Sequence, residues 1–190
     1  AGTTRFLDYL LQNVARHGIE HVILLAGHLG HRVAEHYSGR TVGGAHIDVI
    51  IEPAPAGTAG ALRYAADRLD PTFLMANGDS FFDANYLAVA RALGPDDMGA
   101  MALRRVDNAG RYGRVELDGD RVRAFHEKDI NFQGDALISA GLYALRRDVL
   151  DLVTQTPCSI ETDVFPKLAA SGVLAGVASG GYFIDIGLPE

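Results

Sequence analysis

Apolar positions recur along this chain with two different periods. Phe6, Leu7, Leu10, Leu11 and Val14 fall at helical spacing, the apolar face of an amphipathic helix over residues 6–17. Gly18 stands where such a helix ends. His21–Ala26 (His-Val-Ile-Leu-Leu-Ala) is a near-continuous apolar run, as expected of a strand covered on both faces. A Gly-rich turn over 27–30 leads to a short helix over 32–37. Then come a strand over 46–51, an Ala-rich helix over 58–69, a strand over 71–76 and a helix over 85–93. This β-α-β-α-β rhythm predicts a parallel sheet with helices on both sides. After Gly94 the rhythm changes. Strands are expected over 98–106, 111–117, 121–126 and 137–145, with Asp118-Gly119-Asp120 as a hairpin turn. Helical patterns over 148–153 and 163–170 and short strands over 173–178 and 182–186 complete the chain. The expected fold class is α/β: a Rossmann-like three-layer α/β/α domain with a mixed, mostly parallel sheet shared by both halves and a β-hairpin excursion.

Composition narrows the function classes. The 190 residues are 48% hydrophobic and 22% charged, which fits one globular domain over 1–190. The net charge of −7 supplies no basic field for nucleic acid. No apolar run approaches the roughly 18 residues of a membrane span, and no secretory signal is visible, so a cytoplasmic protein without membrane or nucleic-acid partner is expected. A homo-oligomer is left open. The single cysteine, Cys158, precludes an internal disulfide and fits a reducing compartment; it reads as an ordinary residue. His28, His31 and His36 read as solvated residues at a helix start rather than a zinc site.

Candidate chemistry concentrates at strand ends. In Met75-Ala76-Asn77-Gly78-Asp79-Ser80, Asp79 falls just past the carboxyl end of an apolar strand, where open α/β sheets bind ligands. A carboxylate there suits holding Mg²⁺ against a phosphate; a turn former or helix cap is the plain alternative. Tyr182-Phe183-Ile184-Asp185-Ile186-Gly187 repeats the pattern, so Asp79 and Asp185 could share one Mg²⁺. Glu52-Pro53-Ala54-Pro55-Ala56-Gly57-Thr58 opens a helix: its glycine allows close approach to a flat ligand, and Glu52 could accept two adjacent donors from a base such as guanine. Glu127 and Lys128 could hold a sugar hydroxyl and a sugar phosphate. Small residues at Ser139-Ala140-Gly141 mark close approach. Asp163 reads as a helix N-cap, and Glu161 as a group able to reach a sugar.

Six segments stand in one order: Gly57-Thr58-Ala59-Gly60, Asn77-Gly78-Asp79, Tyr112-Gly113, Phe125-His126-Glu127-Lys128, Ser139-Ala140-Gly141 and Asp185-Ile186-Gly187-Leu188-Pro189-Glu190. Together they resemble the sugar-phosphate nucleotidylyltransferase family. Residues 159–166 and 6–10 are most similar to its D-glycero-D-manno-heptose 1-phosphate guanylyltransferase branch. The resemblance implies a GT-A-like fold, with a nucleotide-binding half over 1–95 and a sugar-phosphate-binding half over 96–190. It implies transfer of a nucleotidyl group from an NTP, GTP favoured, to a sugar 1-phosphate, releasing pyrophosphate. A uridylyl-, cytidylyl- or thymidylyltransferase and a non-catalytic sugar-nucleotide-binding module are the alternatives. By the same resemblance, Asp79 and Asp185 hold Mg²⁺. Lys128 binds the sugar phosphate and Glu127 the sugar hydroxyls. Gly113, Ser139 and Glu161 line the sugar pocket; Glu52, Gly57 and Thr58 face the base. The family carries a Gly-rich triphosphate loop before its first helix. Here Ala1-Gly2-Thr3-Thr4-Arg5 precede Phe6, with Arg5 the candidate loop arginine. A 190-residue polypeptide without that loop is expected not to turn over.

Overall fold

The computed structural model describes residues 4–126 and 129–187. Helix α1 (Phe6–Ala15) buries Leu10 and Leu11, and Leu11 and Ala15 pack with Tyr37, Ala45 and Ile47, as the apolar stripe dictates. Strand β1 (His21–Ala26), helix α2 (Gly30–Tyr37), strand β2 (Thr41–Val42) and strand β3 (Ala45–Ile51) follow. β1 and β3 pair in parallel and β2 adds an antiparallel edge, forming a three-stranded sheet. Helix α3 (Gly57–Leu62) tightens into a 3₁₀ turn over Arg63–Arg68, so the helix expected over 58–69 is present in two winds.

A six-stranded sheet forms the body. It consists of β4 (Thr72–Ala76), β6 (Gly99–Val106), β7 (Arg114–Asp118), β8 (Arg121–His126), β9 (Ala136–Arg146) and β10 (Leu174–Ala178). Between β4 and β6 lie the short strand β5 (Ser80–Phe82) and helix α4 (Tyr86–Arg91). Helix α5 (Phe165–Ala170) precedes β10, and β11 (Phe183–Asp185) follows it. The order is β4-β9-β6-β10-β8-β7, and β7 also pairs with β9, which closes five of the strands on one another. β11 and β5 form a separate antiparallel ribbon.

Two expectations are corrected here. Of the strand pairs, β1–β3 and β6–β10 are parallel; every other one is antiparallel. The sheet is therefore mixed but not mostly parallel. β9 is the cause: it runs between β4 and β6, opposed to both, and its apolar run reads the same in either direction. The two halves share the six-stranded sheet only through β4, since β1–β3–β2 of the first half forms a sheet apart from it.

Alternation along the central strands builds both faces of the body. Met101, Leu103, Tyr143 and Leu145 point to the core under α3 and α5. Ala100, Ala102, Ala140, Leu142 and Ala144 point the other way, and the small alanine side chains let α4 lie close. Buried Asn13 fastens α1 to the body by donating to the Phe82 carbonyl (3.1 Å) and the Tyr86 hydroxyl (3.3 Å). No helix among the described residues is long and apolar enough to cross a membrane.

Candidate active site

A cleft of about 310 Å³ opens where β4 ends. Asp79 comes from the turn after β4, and Asp185 from the end of β11. They meet because β11 pairs with β5 with Asp185 opposite Ser80, and the Ile186 amide donates to the Asp79 carbonyl at 2.9 Å. The two carboxylates close on Gly187. A Cβ built there would stand 2.7 Å from Asp79 Oδ2 and 3.2 Å from Asp185 Oδ1. The bare glycine leaves a cradle between two hard oxygen donors, the donor type that a divalent cation takes. Tyr112 stands beside them, its ring edge against Phe183 at 6.0 Å between centroids. Burial, and then the charge of Asp185, raise the Tyr112 phenol above its ordinary value, so it stays neutral.

Gly113, Ser139 and Glu161 line the same cleft. Glu161 rides on a wide single turn, Ile160–Val164, that leads into α5. Ser159 caps this turn, accepting from the Thr162 amide (3.3 Å), and the Asp163 carboxylate accepts from the Ser159 amide (2.7 Å). The cap is thus Ser159, with Asp163 reaching back to it. Tyr143 donates to Glu161 Oε1 at 3.1 Å and lies 2.9 Å from Ser139 Oγ. Burial, and then the charge of Glu161, hold the Tyr143 phenol well above its ordinary value.

Of the expected site residues, Asp79, Asp185, Gly113, Ser139 and Glu161 come together in this cleft. Glu127 and Lys128 lie outside the described residues. β8 ends immediately before them, and the His126 carbonyl is 3.6 Å from a Cβ built on Gly113. The remaining four expectations fall elsewhere. Gly57 (φ +76°) packs on the neighbouring loop, where a Cβ would sit 2.5 Å from the Cys158 carbonyl oxygen. The Thr58 hydroxyl accepts from the Ile160 amide at 2.8 Å. The Ala59 and Gly60 amides donate to Cys158, and the Cys158 amide donates to Ala56. This segment therefore clamps the turn that carries Glu161. Glu52 lies at the end of β3 beside Gly27, with its carboxylate 3.4 Å from the Ala56 amide. Arg5 turns to His36 on α2 (2.9 Å) rather than into the cleft.

Sequence reasoning missed Tyr143, Arg111 and Phe183. A tyrosine inside an apolar strand was the signal for the first, because a buried phenol needs a partner. A larger hollow of about 460 Å³ lies between the 3₁₀ turns at 63–68 and Arg147–Leu152. Its Arg63 and Arg147 donate to the Val153 and Leu69 carbonyls (2.7 and 3.1 Å), so it is a bonded seam between the two turns. Among the described residues no cluster of three or more His, Cys, Asp or Glu could hold a metal.

The family model described as "Nucleotidyl transferase" matches residues 1–190. The chain belongs to the nucleotidyl transferase family. It is 30% identical to the D-glycero-alpha-D-manno-heptose 1-phosphate guanylyltransferase of Campylobacter jejuni, over 97% of this chain and 81% of the relative. It is 34% identical to the mannose-1-phosphate guanylyltransferase of Mycobacterium tuberculosis, over 97% of this chain and 53% of that longer protein. The crystal structure of HddC from Yersinia pseudotuberculosis superposes with a TM-score of 0.86 at 27% identity, over 98% of this chain and 81% of HddC. HddC has also been solved complexed with GMP-PN.

Proposed function

We propose that this nucleotidyl transferase moves a guanylyl group from GTP to a sugar 1-phosphate, with D-glycero-D-manno-heptose 1-phosphate favoured, releasing pyrophosphate. The observation that carries this reading is the meeting of Asp79 and Asp185 in one cleft with Ser139 and Glu161, a paired-carboxylate cradle beside groups that accept hydrogen bonds. The heptose- and mannose-1-phosphate guanylyltransferase relatives support the nucleotide and the sugar class. We also read α4 on one face of the body and α3 and α5 on the other as the three-layer, GT-A-like arrangement, with the division at residues 95/96 between a nucleotide half and a sugar half.

In this reaction an oxygen of the sugar phosphate bonds to the α-phosphorus. The bond from that phosphorus to the bridging oxygen breaks, and pyrophosphate leaves with the electron pair. The nucleophile is already an anion, so the chain needs to supply position and charge rather than a strong base. Asp79 and Asp185 would hold a divalent cation, Mg²⁺ by donor type, whose charge offsets that of the phosphates. Ser139 and Glu161 accept hydrogen bonds from the sugar, and Gly113 leaves room for it. The family pattern gives Glu127 and Lys128 the sugar hydroxyls and the sugar phosphate.

The test is pyrophosphate release by the full-length protein with Mg²⁺, across four NTPs and a panel of sugar 1-phosphates that includes heptose and mannose. Release with GTP and a heptose 1-phosphate, abolished in Asp79→Ala and Asp185→Ala, is expected. Release with another NTP would overturn the guanylyl assignment, and silence with every pair would overturn the reaction.

A further inference from the structure

Ser139 and Tyr143 stand four residues apart on β9, a separation of about 13 Å along a regular strand. Their hydroxyl oxygens are 2.9 Å apart. A bulge contributes to this convergence. Met101 and Leu103 of β6 pair with Tyr143 and Ser139, so β9 spends two more residues than β6 over the same stretch. Gly141 lies within the surplus at φ +70°, and a Cβ on it would stand 2.9 Å from Asn77 Nδ2. The ring of Tyr143 is fully buried and packs on Phe165, 4.8 Å between centroids.

The direction of these hydrogen bonds follows from counting protons. A phenol has one, and Tyr143 gives it to Glu161 Oε1. Burial keeps that proton on the oxygen. The short Ser139–Tyr143 contact then requires Ser139 to donate to the phenol oxygen. With its proton so used, and one lone pair taken by the Gly141 amide at 3.5 Å, Ser139 Oγ has only its other lone pair for the cleft, and the Glu161 carboxylate likewise only accepts.

We infer that Ser139, Tyr143 and Glu161 form a one-way hydrogen-bond chain that makes this wall of the cleft acceptor-only, so that it selects a sugar 1-phosphate through its hydroxyl donors. Tyr143 is the positioning residue. It touches no substrate, and it sets both the orientation of Glu161 and the polarity of Ser139. The assignment rests on the sugar 1-phosphate reading above.

The experiment compares each monodeoxy and monodeoxyfluoro derivative of the accepted sugar 1-phosphate. Turnover and calorimetric binding are measured for the full-length wild type and for Tyr143→Phe. Fluorine cannot donate a hydrogen bond, so at the ring positions facing this wall both derivatives should lose about 10–100-fold, the effect of one hydrogen bond to a charged group. Tyr143→Phe should raise KM for the sugar phosphate by a similar factor, leave KM for GTP in place and erase the discrimination at those positions. A fluoro derivative that performs like the parent where the deoxy derivative fails would show a donating wall and overturn the chain's direction. Unchanged discrimination in Tyr143→Phe would overturn the role of Tyr143. If that variant does not fold, the wild-type comparison of deoxy and fluoro derivatives decides alone. Sugar-phosphate binding without turnover strikes the proposed reaction and leaves the calorimetric panel to judge the wall. Neither binding nor turnover strikes both.

Discussion

Asp79 Oδ2 and Asp185 Oδ1 lie 2.7 and 3.2 Å from one point, the place a Cβ on Gly187 would take. The backbone fixes this convergence through the β5–β11 ribbon, independent of the carboxylates themselves. Two carboxylates are thus held together by main-chain hydrogen bonds, around a place that a cation could take.

Asp79→Asn should therefore raise the melting temperature in metal-free buffer by about 1–2 °C, since it removes a like-charge contact. The same variant should lose the further rise that Mg²⁺ gives the wild type. Thermal scans with and without Mg²⁺ check both. A lower melting temperature for the variant without metal would show that the two carboxylates do not repel.

Gly187→Ala should fold normally and bind metal poorly, because its methyl enters the cradle. A loss of about 10–100-fold in apparent Mg²⁺ affinity is expected, the usual scale for disturbing the support of a metal site. Pyrophosphate release titrated against Mg²⁺ reads it directly.

Thr58→Val separates two uses of one residue. The Thr58 hydroxyl accepts from the Ile160 amide at the start of the turn carrying Glu161. Losing it leaves a part-buried amide unpaired, a cost of about 1–3 kcal/mol in denaturant titration, and should raise KM for the sugar phosphate. KM for GTP should hold. A rise confined to GTP would return Thr58 to the base-facing role that its motif implies.

His17 gives the fold a pH dependence. Its ring stacks on Tyr86 at 4.7 Å between centroids, and burial lowers its pKa from the ordinary 6.5. The unfolded chain therefore takes up a proton more readily. The stability His17 contributes is complete above pH 6.5 and is lost as pH falls through the lowered folded value. His17→Gln should flatten that part of the stability curve, as read by urea midpoints between pH 8 and pH 5.

The cleft was half legible in the sequence. Asp79 and Asp185 could be found because a carboxylate and a glycine stand together at a strand end in both places. Gly57 could not be assigned from its pattern. A glycine reports that something comes close without saying whether it is a ligand or the chain's own loop, and here it is the Cys158 backbone. Strand direction was hidden for a similar reason. A central strand buried on both faces is apolar throughout whichever way it runs, so β9 gave no sign of opposing β4 and β6. The bulge at Gly141 was marked only by small residues, and Tyr143 by one polar atom in an apolar run.

The ribbon of β5 and β11 also orders events in time. β11 is the last strand described, and the main core under α3 and α5 takes nothing from it. A chain emerging from the ribosome can bury that core while it still owns only one of the two carboxylates. Asp79 waits in its turn until Asp185 is delivered. The ability to hold a cation between the two carboxylates is thus conferred later than the core-forming segments, by a strand which that core does not need.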